Sequence, residues 1–317
     1  MKHSLRSASV LSRSLRNPVG FAAVATLLAA CGGGGDGGTP GPVGPQAVAI
    51  EFAAYAGTAP VACDTTLTGL GTTQARAALS DLRFYVANAA LIDTAGNAVP
   101  LTLDASEWQI QQEGDSLALI DLENAADACA SKGTATTNAR IVGTVPAGDY
   151  RGLRFTVGVP SRWNHTDYAA ATAPLDVGAL AWSWQAGRKY LQLELKPEGG
   201  VQRPAPAAAG TTFHIHLGAT GCTGNPVTGE TVSCSRPNRA AVQLANFNPT
   251  TEKVVLDIAA LLRNSDIRQD LGNSVGCMSG ASDPECAAIF AQFGLDLSAG
   301  TPLGDQGVQY AFAARSK

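Results

Sequence analysis

Two imidazoles stand two residues apart in the apolar run Phe213-His214-Ile215-His216-Leu217, the pattern in this sequence best suited to chemistry. Alternate residues of a strand share a face, so His214 and His216 would present two nitrogen donors side by side, half of a metal site. Only four histidines occur in 317 residues. His3 falls in a basic N-terminal leader, and His165 lies upstream in Trp163-Asn164-His165-Thr166-Asp167. Intermediate nitrogen donors hold both Cu(I) and Cu(II), and zinc accepts the same ligands, so His165, His214 and His216 suit either metal. Asp167 is placed to fix an imidazole tautomer, although surface solvation is the commoner role of such a residue. Trp163 is two residues from His165, while Trp182 and Trp184 alternate in Ala181-Trp182-Ser183-Trp184. The bland alternative is hydrogen-bonded strand histidines and aromatic core packing.

No Gly-x-Ser-x-Gly, His-Glu-x-x-His or phosphate loop is present, so the expectation is a binding protein and not an enzyme. Lys2, Arg6, Arg13 and Arg16 precede an apolar segment, Phe21 to Ala30, of signal-peptide length. It ends in Leu28-Ala29-Ala30-Cys31, similar to a bacterial lipobox with Cys31 as the lipidated residue. Gly32 behind it resembles the outer-membrane sorting pattern, giving an expected outer-membrane lipoprotein with a periplasmic or surface-facing body. Residues 31–46, rich in Gly and Pro, read as a flexible tether. The leader holds four of the 22 Lys and Arg and none of the 26 Asp and Glu, so its removal leaves a net charge of −8. That acidity argues against nucleic acid as a partner. Besides Cys31 there are six cysteines, an even number that reads as disulfides in an exported chain, with 15 possible connectivities. Proximity favours Cys222 with Cys234 and Cys277 with Cys286, leaving Cys63 with Cys129. The competing reading, thiolate metal ligands, lacks any Cys-x-x-Cys pair.

Residues 47–317 read as one mainly β domain, an antiparallel β-sandwich with a small disulfide-closed helical region near its C-terminus. Val48 to Phe52, Asp81 to Val86 running on to Ile92, Leu117 to Leu122 and Arg140 to Val145 alternate or run apolar at strand length. Leu153, Phe155, Val157 and Val159 recur at period two, forming one buried face. Pro160 ends that strand and opens the loop carrying Trp163 and His165. Trp182 and Trp184 then read as one face of a strand continuing through Tyr190, Gln192 and Glu194. Val255, Ile258, Ala259 and Leu262 fall at helical spacing, as do Ala287, Ile289, Phe290 and Phe293, so residues 250–295 are expected to be mostly helical. A last strand is expected over Val308 to Ala313.

Several phrases together resemble the metallo-mystery pair four-Cys family of MbnP-like proteins. They are Asp81-Leu82-Arg83-Phe84-Tyr85-Val86, Gly158-Val159-Pro160, Asn164-His165, Trp182-Ser183-Trp184-Gln185, His216-Leu217-Gly218-Ala219-Thr220-Gly221-Cys222, Asn238-Arg239 and Gly276-Cys277-Met278 with Cys286. The resemblance runs from about residue 47 to 295. It implies a copper-binding protein paired with a di-haem enzyme similar to MauG and the cytochrome c peroxidases. It also implies that this partner oxidises a tryptophan to kynurenine, which joins the copper site, with Trp184 favoured, then Trp182, and Trp163 as rival. Cys222, Cys234, Cys277 and Cys286 would be the four cysteines of the family name, as structural disulfides. The chain departs from the pattern at Trp163, where an aliphatic residue is expected, and at His214, a second imidazole before the usual His-Leu-Gly. The rival readings are a structural or adhesive lipoprotein that binds no metal, and a zinc-binding domain.

Overall fold

The computed structural model describes residues 44–304 and 308–317. The leader, Cys31 and the tether up to residue 43 lie outside them. No helix among the described residues is long and apolar enough to cross a membrane.

Two sheets carry the fold, which is mainly β as the alternation predicts. The smaller has the strand order Phe312–Ser316, Glu252–Asp257, Gln46–Ala56, Arg140–Val145, Thr102–Leu103. The larger runs Ala240–Leu244, Tyr150–Val157, Ala75–Asp93, Gly187–Pro197, Phe213–Gly218, Gly276–Cys277 along its main path. The sheets meet through four phenylalanines, Phe52 and Phe312 from the smaller and Phe84 and Phe155 from the larger. Their rings are edge-on at centroid distances of 5.6–5.8 Å. Edge-to-face contact satisfies the ring quadrupoles while burying large apolar area, so this box is the centre of the inter-sheet core.

The long strand Ala75–Asp93 organises the larger sheet. Its even residues Leu82, Phe84 and Val86 alternate with Asp81, Arg83 and Tyr85, and every one of the six is buried. A strand polar on one face yet buried on both needs a cover over its outer face. The loop between Asp121 and Arg140 provides one. Lys132 O accepts from Arg83 at 3.3 Å, Lys196 donates to Ala128 O at 2.9 Å, and the Cys63–Cys129 disulfide ties the loop down. Tyr85 reaches a second covering loop, donating its hydroxyl to Pro174 O at 2.9 Å.

Three expectations change. Residues 250–295 are not mostly helical: Glu252–Asp257 is a strand parallel to Gln46–Ala56, followed by the short helix Ile258–Leu262. Val254, Val255 and Leu256 are all buried, so the segment is an interior strand whose continuous apolar run mimics helical spacing. Only Cys286–Gln292 is helical where the second helix is expected. Trp182 and Trp184 do not continue into the Tyr190 strand, because Ala181–Ser183 turns back antiparallel onto Gly187–Pro197. The final strand, Phe312–Ser316, begins four residues later than Val308.

Candidate metal centre

His214 and His216 lie on Phe213–Gly218 and share its outer face, while Phe213, Ile215 and Leu217 are buried on the other side. Register fixes what they meet. His214 pairs with Glu194, which pairs with Asp81; His216 pairs with Gln192, which pairs with Arg83. The outer face therefore carries a three-strand lattice of polar side chains. Cross-strand neighbours stand close enough to interact directly, and these do. Glu194 Oε1 lies 3.1 Å from His216 Nε2 and 3.3 Å from His214 Nδ1. Gln192 donates to Asp81 Oδ2 at 2.6 Å and accepts from Lys189 at 2.7 Å, and Arg83 closes the lattice with an ion pair to Asp81.

The histidine strand is held from its open edge. Ser279 Oγ donates to His216 O at 2.8 Å and accepts from Gly218 N–H at 3.1 Å. Gly276 pairs with His214 in parallel. Its φ is +78°, and a Cβ there would stand 2.3 Å from His214 O, so the backbone approach requires glycine.

Three atoms of this group are buried without a well-formed hydrogen bond: Glu194 Oε2, His216 Nδ1 and His214 Nδ1, whose 3.3 Å contact with Glu194 Oε1 lacks hydrogen-bond geometry. Buried polar atoms are almost always paired, so three orphans on adjacent side chains point to something they are built to hold. Ligand atoms from Glu194, His214 and His216 lie within 4.8 Å of one another, the span of a metal coordination sphere. Burial pushes the His216 imidazole down to about 4 against the pull of Glu194, leaving it neutral at pH 7. Burial also works against charge on Glu194, but the two imidazoles beside it outweigh that and hold its carboxyl below the usual carboxylate range. Neutral imidazole and ionised carboxylate are the forms that ligate metals. The His214 side chain is 24% exposed and that of Glu194 5%, so the group opens to solvent on the His214 side.

His165 is not part of this group. It follows the short helix Ser161–Asn164, and its Nε2 lies 3.4 Å from Cys234 Sγ, so its ligand atoms cluster with Cys222 and Cys234. Its Nδ1 is 3.0 Å from Trp184 O, and burial lowers its pKa while that backbone contact pulls the other way. The three imidazoles expected in one site thus divide into two. Glu194 takes the place of His165 beside the pair. Alternation with Leu191, Leu193 and Leu195 put Glu194 on a polar face in the sequence, but nothing there showed which strand that face adjoined. Asp167 caps its own turn, accepting from Ala169 N–H at 2.9 Å.

Among the tryptophans, the Trp182 ring lies over Gly218, where a Cβ would be 2.5 Å from the ring. Trp182 and Trp184 are half-buried, whereas Trp163 is buried with the Arg162 guanidinium 5.7 Å from its ring centroid. The disulfides pair Cys63 with Cys129, Cys222 with Cys234 and Cys277 with Cys286, as proximity favours.

These features define a disulfide-stapled, two-sheet β protein with a histidine–carboxylate centre on the outer face of its larger sheet. The chain belongs to the MbnP family, whose profile matches residues 45–279. The solved structure of MbnP from Methylosinus trichosporium is similar to it with a TM-score of 0.78 and 35% sequence identity. That likeness covers 86% of this chain and 99% of the other. No curated protein matches the sequence.

Proposed function

We propose that the protein is a copper-binding lipoprotein of the cell envelope that holds one ion through His214, His216 and Glu194. The observation that carries this reading is the trio of unpartnered buried atoms on those three residues. The family resemblance supplies the choice of copper, since the donor set by itself also suits zinc, which is bound elsewhere by two histidines and a glutamate. In this reading Glu194 brings the negative charge, His216 is the dry anchor and His214 is the ligand on the solvent side. The bound ion would supply affinity for a handling or acquisition role, and the protein would not itself be an enzyme. Lipid attachment at Cys31 would hold it at the outer membrane.

The second part of the proposal is oxidation of a tryptophan by a di-haem, MauG-like partner. Trp184 and Trp182 are favoured because both are half-buried, Trp182 on the short strand Ala181–Ser183 and Trp184 in the turn just after it, whereas Trp163 is buried and covered by Arg162.

Metal analysis of protein purified from the periplasm, followed by competitive copper titration, tests the first part. One equivalent of copper is expected, and Glu194→Gln should lower affinity more than the roughly 10–100-fold that loss of a supporting outer residue costs. Zinc as the retained metal would favour the zinc reading. No metal, or full affinity in Glu194→Gln, would sink this site. Peptide mass analysis after co-expression with the di-haem enzyme tests the second part, with the kynurenine change expected on the peptide containing Trp182 and Trp184.

A further inference from the structure

The second cluster of ligand atoms is formed on the hairpin that follows the histidine strand and on the loop of His165. Cys222 and Cys234 are directly opposed across the hairpin of Thr220–Thr223 and Ser233–Arg236 and are joined as a disulfide. His165 Nε2 stands 3.4 Å from Cys234 Sγ, and the ligand atoms of the three residues lie within 4.8 Å of one another. A carbonyl oxygen can only accept, so the contact of His165 Nδ1 with Trp184 O assigns the ring proton to Nδ1 and leaves a lone pair on Nε2. Metal-bound histidines are held in this way, with the remote N–H tied to a carbonyl. Asn164 Nδ2, 3.0 Å from Nε2, faces that lone pair now, its amide oriented by accepting Arg188 N–H at 3.0 Å.

The three disulfides differ in access. Cys63, Cys129, Cys277 and Cys286 are buried, whereas Cys222 and Cys234 are half-buried. Cys222 also lines a cavity of about 330 Å³ with Trp182, Gln185 and Met278. Thiol–disulfide exchange needs a thiolate to reach a sulfur, so a dithiol reductant acts on this bridge first.

We propose that reduction of the Cys222–Cys234 disulfide creates a second metal site, in which the two thiolates and His165 Nε2 hold one thiophilic d10 cation, Cu(I) or Zn(II). The dithiol gives up two electrons and two protons and closes its own disulfide. Cys222 and Cys234 become thiols, and the cation displaces their protons on binding. Metal–sulfur and metal–nitrogen bonds of about 2.3 and 2.0–2.1 Å imply a nitrogen-to-sulfur edge of roughly 3.5 Å, close to the separation already present. Soft thiolates select such ions, and the cavity beside Cys222 leaves room for an exogenous fourth ligand.

The test uses protein carrying His214→Ala and His216→Ala, so that the centre proposed above is silent and its failure cannot be mistaken for this one's. Reduced, reductant-free protein is titrated anaerobically with Zn(II), with Cu(I), and with Co(II) as an optical probe. One cation per chain is expected on reduction and none before it, with thiolate charge-transfer bands in the Co(II) form. Cys222→Ser with Cys234→Ser should abolish the gain, and His165→Ala should weaken it at least tenfold. Should the serine pair not fold, His165→Ala, which keeps both cysteines, decides. No cation after reduction, binding that survives the serine changes, or binding indifferent to His165→Ala would overturn the proposal.

Discussion

Asp121 is 2% exposed at the end of the strand Asp115–Asp121 and takes a hydrogen bond from the Thr134 hydroxyl at 2.8 Å. Burial pushes its carboxyl up to about 7; Thr134 and Arg83 pull it down, while the charge of Glu123 adds to the rise. The unfolded chain releases this proton near the ordinary carboxylate value, the folded protein only near 7, so the folded state binds more protons in between. Stability contributed by Asp121 therefore falls as pH rises from about 4 to about 7, by up to about 4 kcal/mol at roughly 1.4 kcal/mol per unit. Asp121→Asn should flatten that slope, and urea denaturation across the window measures it; an unchanged slope would place the burial cost elsewhere. Residue type alone made His214 and His216 stand out, but Asp121 and Glu194 read as ordinary acidic strand residues. Their importance comes from being buried, which no local pattern reveals.

The histidine strand depends on the short strand beside it. Gly276 adopts a left-handed φ against the His214 backbone, so Gly276→Ala must both strain the chain and push the strands apart. A loss of about 1–3 kcal/mol is expected, with weakened copper binding if His214 ligates the metal as proposed, because the displaced backbone is that of His214. Urea denaturation and copper competition on the same variant check both, and a stable variant with full affinity would show that the parallel pairing does not position His214. The strand itself was legible: Phe213, Ile215 and Leu217 alternate with the histidines, and period two is a strong signal. The strand Glu252–Asp257 was not, since an interior apolar run fits helix and strand templates equally well over a few residues.

At the scale of the whole molecule, the Phe52, Phe84, Phe155 and Phe312 box joins the sheets on the face opposite the lattice. Phe155→Ala should cost about 3–5 kcal/mol in chemical denaturation. Copper affinity of the folded fraction should stay within about twofold, because distant independent sites add. A large drop in affinity would show that the two faces are coupled. Composition, period-two alternation and the cysteine spacing by themselves determined a mainly β, disulfide-stapled body, and the motif order carried the resemblance to its family. Those are properties of single segments, set by side-chain periodicity and chain proximity. Only the tertiary structure decided that Glu194 joins His214 and His216 while His165 stands with Cys222 and Cys234. Strand register is fixed by packing across the sheet, and a slip of one residue would turn Glu194 away from His214 and His216 to the other face.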